Sequence, residues 1–89
     1  TPVSWITLVA GERVLDLGCG SGGATRAAAR AVGPEGLVVG IDSSAEAIAL
    51  ARERTPADLP VVYRRGDAQS LASIPDRSFD CVVASMVLE

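Results

Sequence analysis

The run Val14-Leu15-Asp16-Leu17-Gly18-Cys19-Gly20-Ser21-Gly22-Gly23 sets an apolar stretch ending in an acid directly before a glycine-rich turn and an alanine-rich segment. This order predicts a strand, a ligand-holding turn and a helix. Glycine is required where the chain reverses with positive φ and where a ligand lies against bare backbone. A side chain at Gly18 or Gly20 would occupy the ligand's place. The helix that follows offers free N–H groups and a partial positive charge to a phosphate or a carboxylate.

Two glycine patterns coexist. Gly18, Gly20 and Gly23 satisfy G-x-G-x-x-G, while Asp16, Gly18, Gly20 and Gly22 satisfy acid-x-G-x-G-x-G. The first is weak by itself. Asp16 separates the ligand classes, because a pyrophosphate near its carboxylate would meet like charge in a partly dry site. A cationic group there is favoured. The pattern therefore leans toward a ligand carrying an ammonium and a sulfonium, as S-adenosylmethionine does, and away from a dinucleotide.

At 89 residues the chain is one domain at most, of a size that buries only about two-thirds of its unfolded surface. Apolar residues make up 48% and aromatics 3%, so Ala, Val and Leu must build closely spaced layers, which suits helices on a parallel sheet. Net charge is −3, with eight arginines, no lysine and no histidine. No basic cluster exceeds Arg64-Arg65, so nucleic-acid binding gains no electrostatic support. The missing histidine removes the commonest general base and metal ligand; nothing seen requires a metal. Cys19 and Cys81 form no C-x-x-C pair, and without a secretory or transmembrane-length segment the expected setting is the reducing cytoplasm. Cys19, between two glycines, reads as a small filler rather than a nucleophile.

Along the chain, residues 1–9 have a capping residue, a proline and helical spacing, predicting a short helix with Trp5 in the core. Arg13 to Leu17 is the first strand, Ala24 to Val32 a helix closed by Gly33-Pro34. Leu37 to Ile41, ending at Asp42, is a second strand buried on both faces. Ser43 and Ser44 can each cap the next helix, with Ser43 and Glu46 at capping-box spacing, and its inner stripe is Ala47, Ile48, Leu50 and Ala51. Val61 to Arg64 is a third strand whose arginines suit a sheet edge. Phe79 to Ser85 is a fourth, with a turn at Gly66-Asp67-Ala68 and a possible helical turn over 69–72 between them. The fold class is α/β, a doubly wound, mainly parallel sheet with flanking helices. Asp16, Asp42, Asp67 and Ser85 all fall at the carboxyl ends of strands, where such sheets bind ligands.

Asp42 can accept two hydrogen bonds from a ribose diol, which serves S-adenosylmethionine and NAD equally; alone it could simply stabilise a helix dipole. Asp67 can accept from the adenine amino group while the Ala68 N–H meets a ring nitrogen, or it can be a turn former after Gly66. Asp80 reads as structural.

Together these segments resemble the cofactor-binding half of a class I S-adenosylmethionine-dependent methyltransferase. RVLDLGCGSG resembles the family's first motif, VVGIDSSAEAIALAR its second, RRGDAQSL its third and FDCVVASMVL its fourth, in order across residues 13–88. The resemblance implies a Rossmann-like fold. It implies that Gly18, Cys19 and Gly20 line the methionine part with Asp16 near its amino group, that Asp42 and Ser43 border the ribose and adenine, and that Asp67 and Ala68 read adenine. Ser85 and Met86 would border the methionine and the route to the acceptor. The local sequence is nearest to small-molecule methyltransferases, including those of quinone biosynthesis.

Two departures stand out. Ser43 stands where the family usually packs an apolar side chain on the adenine face. The family sheet has seven strands with the fourth interior, so residues 1–89 read as the N-terminal part of one domain. A missing C-terminal half or a partner chain is then expected to cover the apolar edge of the fourth strand. Two alternatives are an NAD-linked oxidoreductase half-domain, opposed by Asp16, and a non-catalytic S-adenosylmethionine-binding or interaction module.

Overall fold

A computed structural model describes residues 8–66 and 79–84. The elements are β1 (Arg13–Leu17), α1 (Gly23–Val32), β2 (Leu37–Asp42), α2 (Ala45–Arg54), β3 (Val61–Arg65) and β4 (Cys81–Ala84). The expected helix at residues 1–9 with Trp5, the turn over 69–72, and Asp67, Ala68, Ser85 and Met86 lie outside the described residues.

The sheet has the order β3-β2-β1-β4 with every pairing parallel. Strand order therefore reverses at β1, which places the switch point between β1 and β4. Central position explains the apolar runs: Val14 to Leu17 and Val38 to Ile41 are buried throughout. β3 is outermost and buries only Tyr63 of its five residues, as its arginines foretold.

One face of the sheet carries both helices. Val14, Val38 and Val83 pack with Ala28, Ala29 and Val32 of α1, where alanines allow close approach. Ile48 and Ala51 of α2 pack on Tyr63 and Cys19. The opposite face buries Leu15, Leu17, Val39 and Ile41, with Leu37 and Phe79 against them. Both faces are thus apolar at the centre of the sheet, while Val62 and Val82, on the helix-free face of the two outer strands, are exposed. Side chains as fully buried as Leu15 or Val38 contribute about 1.5–3 kcal/mol each.

One open choice is decided and two local expectations are corrected. Ser44, not Ser43, caps α2: its Oγ accepts from the Ala47 N–H at 3.1 Å, because the Asp42 carboxylate accepts the Ser44 N–H and sets that residue at the cap. Leu50 is exposed, since α2 turns only Ile48 and Ala51 fully inward. β4 begins at Cys81 rather than Phe79. Asp80 instead clamps the start of β1, with Oδ2 accepting the Arg13 N–H at 2.8 Å and the Asp80 N–H donating to the Arg13 carbonyl. Its structural reading holds.

Candidate functional site

The glycine turn joins β1 to α1, and its first half is fastened to β2. The N–H groups of Gly18 and Cys19 both donate to the Ile41 carbonyl, at 2.7 and 3.1 Å, and Gly22 N–H closes the turn on the Cys19 carbonyl. Gly18, Gly20 and Gly22 all have positive φ, at 71°, 57° and 90°, a region in which other L-residues are strained. The glycines nevertheless serve two purposes. A Cβ at Gly20 would meet nothing within 4 Å, so its bare backbone faces open space; a Cβ at Gly22 would come within 2.5 Å of the Tyr63 hydroxyl. Gly20 leaves the surface of the turn open, and Gly22 leaves room for the core.

Asp42 stands at the carboxyl end of β2, half-buried. Its Oδ2 accepts the Gly20 N–H at 2.9 Å and its Oδ1 accepts the Ser44 N–H at 2.9 Å. A carboxylate has about four lone-pair sites, so each oxygen retains capacity for one more donor. Asp42 thereby ties the two βα turns together and still presents two acceptors, the number that a vicinal diol needs.

Asp16 is placed differently. It is 0% exposed, and its Oδ2 accepts from Thr25 Oγ1 at 2.6 Å. The carboxylate fastens the first turn of α1 to β1 and is closed from the surface. The resemblance implies a place for Asp16 near a ligand ammonium; the structure shows the carboxylate below the surface of the turn, bonded to Thr25. Thr25 had no role in the sequence reading. Its place in the first turn of α1, facing β1, could have suggested a buried partner for Asp16.

Cys19 is buried too, as the filler reading expects. Its side chain packs with Ile48, Ala51 and Tyr63, and burial, reinforced by the Asp16 and Asp42 charges, pushes its thiol up to about 12. It is a core filler with its N–H already committed to the Ile41 carbonyl. Gly40, which sequence reading passed over, admits it: a Cβ there would lie 3.1 Å from Cys19 Sγ. The Cys81 thiol is also shifted up, by burial and by Glu12.

Ser43 is exposed beside Asp42, and its carbonyl accepts from Arg65 Nε at 3.2 Å. The α1 N-terminus has neither a side-chain cap nor an acid in its first turn, so the turn is electrostatically open to a carboxylate. Among the described residues no cluster of His, Cys, Asp and Glu could hold a metal, and no helix is long and apolar enough to cross a membrane.

A family model described as a methyltransferase domain matches residues 14–89. The chain belongs to the class I S-adenosylmethionine-dependent methyltransferases. A 2-phytyl-1,4-naphtoquinone methyltransferase of Thermosynechococcus vestitus is 41% identical over 73 residues, covering 82% of this chain and 32% of that protein. The crystal structure of an arsenic(III) S-adenosylmethionine methyltransferase from Chlamydomonas reinhardtii is 30% identical with a TM-score of 0.77, covering 89% of this chain and 30% of that one. An Aeropyrum pernix fibrillarin crystallised with S-adenosylmethionine shares the fold at 20% identity and a TM-score of 0.77, covering 89% of this chain and 35% of that one. This methyltransferase chain thus spans about a third of the length of such relatives. The cofactor of the family, S-adenosylmethionine, fits the residues described: Gly20 supplies an open cradle, Asp42 two acceptors for a diol, and α1 an uncapped N-terminus.

Proposed function

We propose that residues 1–89 form the N-terminal, S-adenosylmethionine-binding part of a single methyltransferase domain that acts on a small molecule. The observation that carries this reading is Asp42, whose two oxygens hold the Gly20 and Ser44 N–H groups and keep an acceptor site each for the ribose hydroxyls. Gly18 and Gly20 line the amino-acid part, and the α1 N-terminus receives its carboxylate. Asp16 acts on the ammonium through the turn, as a fixed negative charge behind it. Ser43 borders the adenine, Asp67 and Ala68 read its edge, and Ser85 borders the route to the acceptor.

When bound, the cofactor would supply a methyl group activated by its sulfonium: an electron pair of the acceptor bonds the methyl carbon in line as the carbon–sulfur bond breaks, and the sulfur keeps that bond's pair in the departing S-adenosylhomocysteine. The chain contributes orientation and proximity. A quinone or an arsenical acceptor is the class named by similar proteins. β4 is an outer strand of the described sheet, and Val82, which shares the Leu15 face, is exposed on it; this apolar surface beside a strand edge supports covering by a further part of the domain or by a partner chain. The free thiols Cys19 and Cys81 support a cytoplasmic setting.

Isothermal titration of the complete protein, as its gene encodes it, with S-adenosylhomocysteine and with NAD tests the reading. Saturable binding of the former alone, lost in Asp42→Ala, is the expected result. Binding of NAD alone would overturn it in favour of an oxidoreductase half-domain.

A further inference from the structure

Tyr63 is the one buried residue of β3, 5% exposed between outward-facing Val62 and Arg64. Its ring crosses β2 at Gly40, where a Cβ would lie 3.0 Å from Cδ1, and its hydroxyl reaches the core side of the glycine turn, where a Gly22 Cβ would lie at 2.5 Å. Both crossing points are glycine, so an aromatic side chain from the edge strand passes through two gaps to touch a turn that starts two strands away. At its tip, Tyr63 Oη lies 2.7 Å from Thr55 Oγ1. Thr55 Oγ1 donates its single hydrogen to the Ala51 carbonyl at 2.7 Å. Toward Tyr63 it can therefore only accept, and the Tyr63 hydroxyl is the donor.

The turn's hydrogen bonds are made by other groups: Ile41 holds Gly18 and Cys19, Asp42 holds Gly20, Arg26 Nη1 donates to the Ser21 carbonyl at 2.8 Å, and Gly22 itself is bonded only within the turn and its helix, to the Cys19 carbonyl and the Arg26 N–H. Gly22, the N-cap of α1, is supported from the core by Tyr63. We infer that Tyr63, oriented by Thr55, is a positioning residue that sets the height of Gly22, and with it Gly20 and the first N–H groups of α1, against the amino-acid end of the cofactor. The inference rests on the proposed placement of that end over the glycine turn.

Two probes separate the ends of the site. S-adenosylhomocysteine carries the ammonium and carboxylate; 5′-methylthioadenosine keeps the adenosine and sulfur and lacks both. Calorimetry on the complete protein should show Tyr63→Phe weakening S-adenosylhomocysteine about fivefold, the equivalent of one neutral hydrogen bond, with 5′-methylthioadenosine unchanged. Thr55→Val should do the same and Thr55→Ser, which keeps an acceptor, should restore binding; this pair carries the test if Tyr63→Phe fails to fold. Equal weakening of both probes, or of neither, overturns the inference. Asp42→Ala is run beside them and should weaken both probes. If it weakens neither, the site reading itself fails and takes this inference with it.

Discussion

The β1–α1 and β2–α2 turns are built on one plan and finished in opposite ways. Each follows a buried strand that ends in an aspartate region and each opens a helix of ten residues. In the β2–α2 turn the chain satisfies itself: Ser44 caps α2, Glu46 sits in its first turn, and Asp42 receives the Ser44 N–H. In the β1–α1 turn the acid is turned inward to Thr25, and the helix starts at Gly22 with no cap and no acid. The acid of the first turn builds the fold, while the acid of the second is left to reach across and outward. Equivalent residue types at equivalent strand ends thus take different work, and burial decides which.

The largest expected effect tests the inward acid. Asp16→Ala leaves the buried Thr25 hydroxyl without its acceptor and opens a gap between β1 and α1, and should cost about 3 kcal/mol or more, lowering the thermal midpoint by more than about 10 °C. Asp42→Ala should reverse the balance, costing roughly a hundredfold in S-adenosylhomocysteine affinity through two charge-assisted hydrogen bonds while its half-exposed N–H partners turn to water. Equal melting losses in the two variants would erase the distinction.

A smaller effect concerns Cys19, which the first turn buries. Its unfolded thiol ionises near 9.0 and its folded thiol at about 12, so as pH rises the unfolded state loses its proton first. The stability that Cys19 contributes is intact below pH 9.0 and lost as pH climbs toward 12. Thermal melts of Cys19→Ala should fall less steeply over that window than those of the parent, and identical slopes would show the thiol to be solvated. The smallest effect belongs to the second turn: Ser43→Leu, which supplies an apolar face beside Asp42, should tighten S-adenosylhomocysteine about threefold by calorimetry. Unchanged affinity would move the adenine away from Ser43.

Strands and helices were legible because their signals are local. Val14 to Leu17 and Leu37 to Ile41 are unbroken apolar runs of strand length, and the alanine run from Ala24 has one reading. The cap was ambiguous between Ser43 and Ser44, since both have the chemistry and only the Asp42 side chain, bonding the Ser44 N–H, selects one. Leu50 was assigned inward from spacing alone, yet α2 lies near the sheet edge, where a narrow stripe suffices. Asp42 and Gly20 were legible as candidate site residues because a strand-end acid and a paired glycine carry their function in the backbone pattern. Thr25, Gly40 and Tyr63 were not, because their roles depend on contacts between residues 9, 21 and 41 positions removed from their partners in the chain.

The sequence by itself determined the order of elements, the parallel sheet and the turn that must be glycine, since each follows from periodicity, φ preference and chain connectivity. Only the tertiary structure decided which acid faces inward, which cysteine is closed to reaction, and which glycine faces open space rather than Tyr63. Those outcomes depend on distances between strands that pair in space, and a one-dimensional pattern holds no record of what a side chain meets across a sheet.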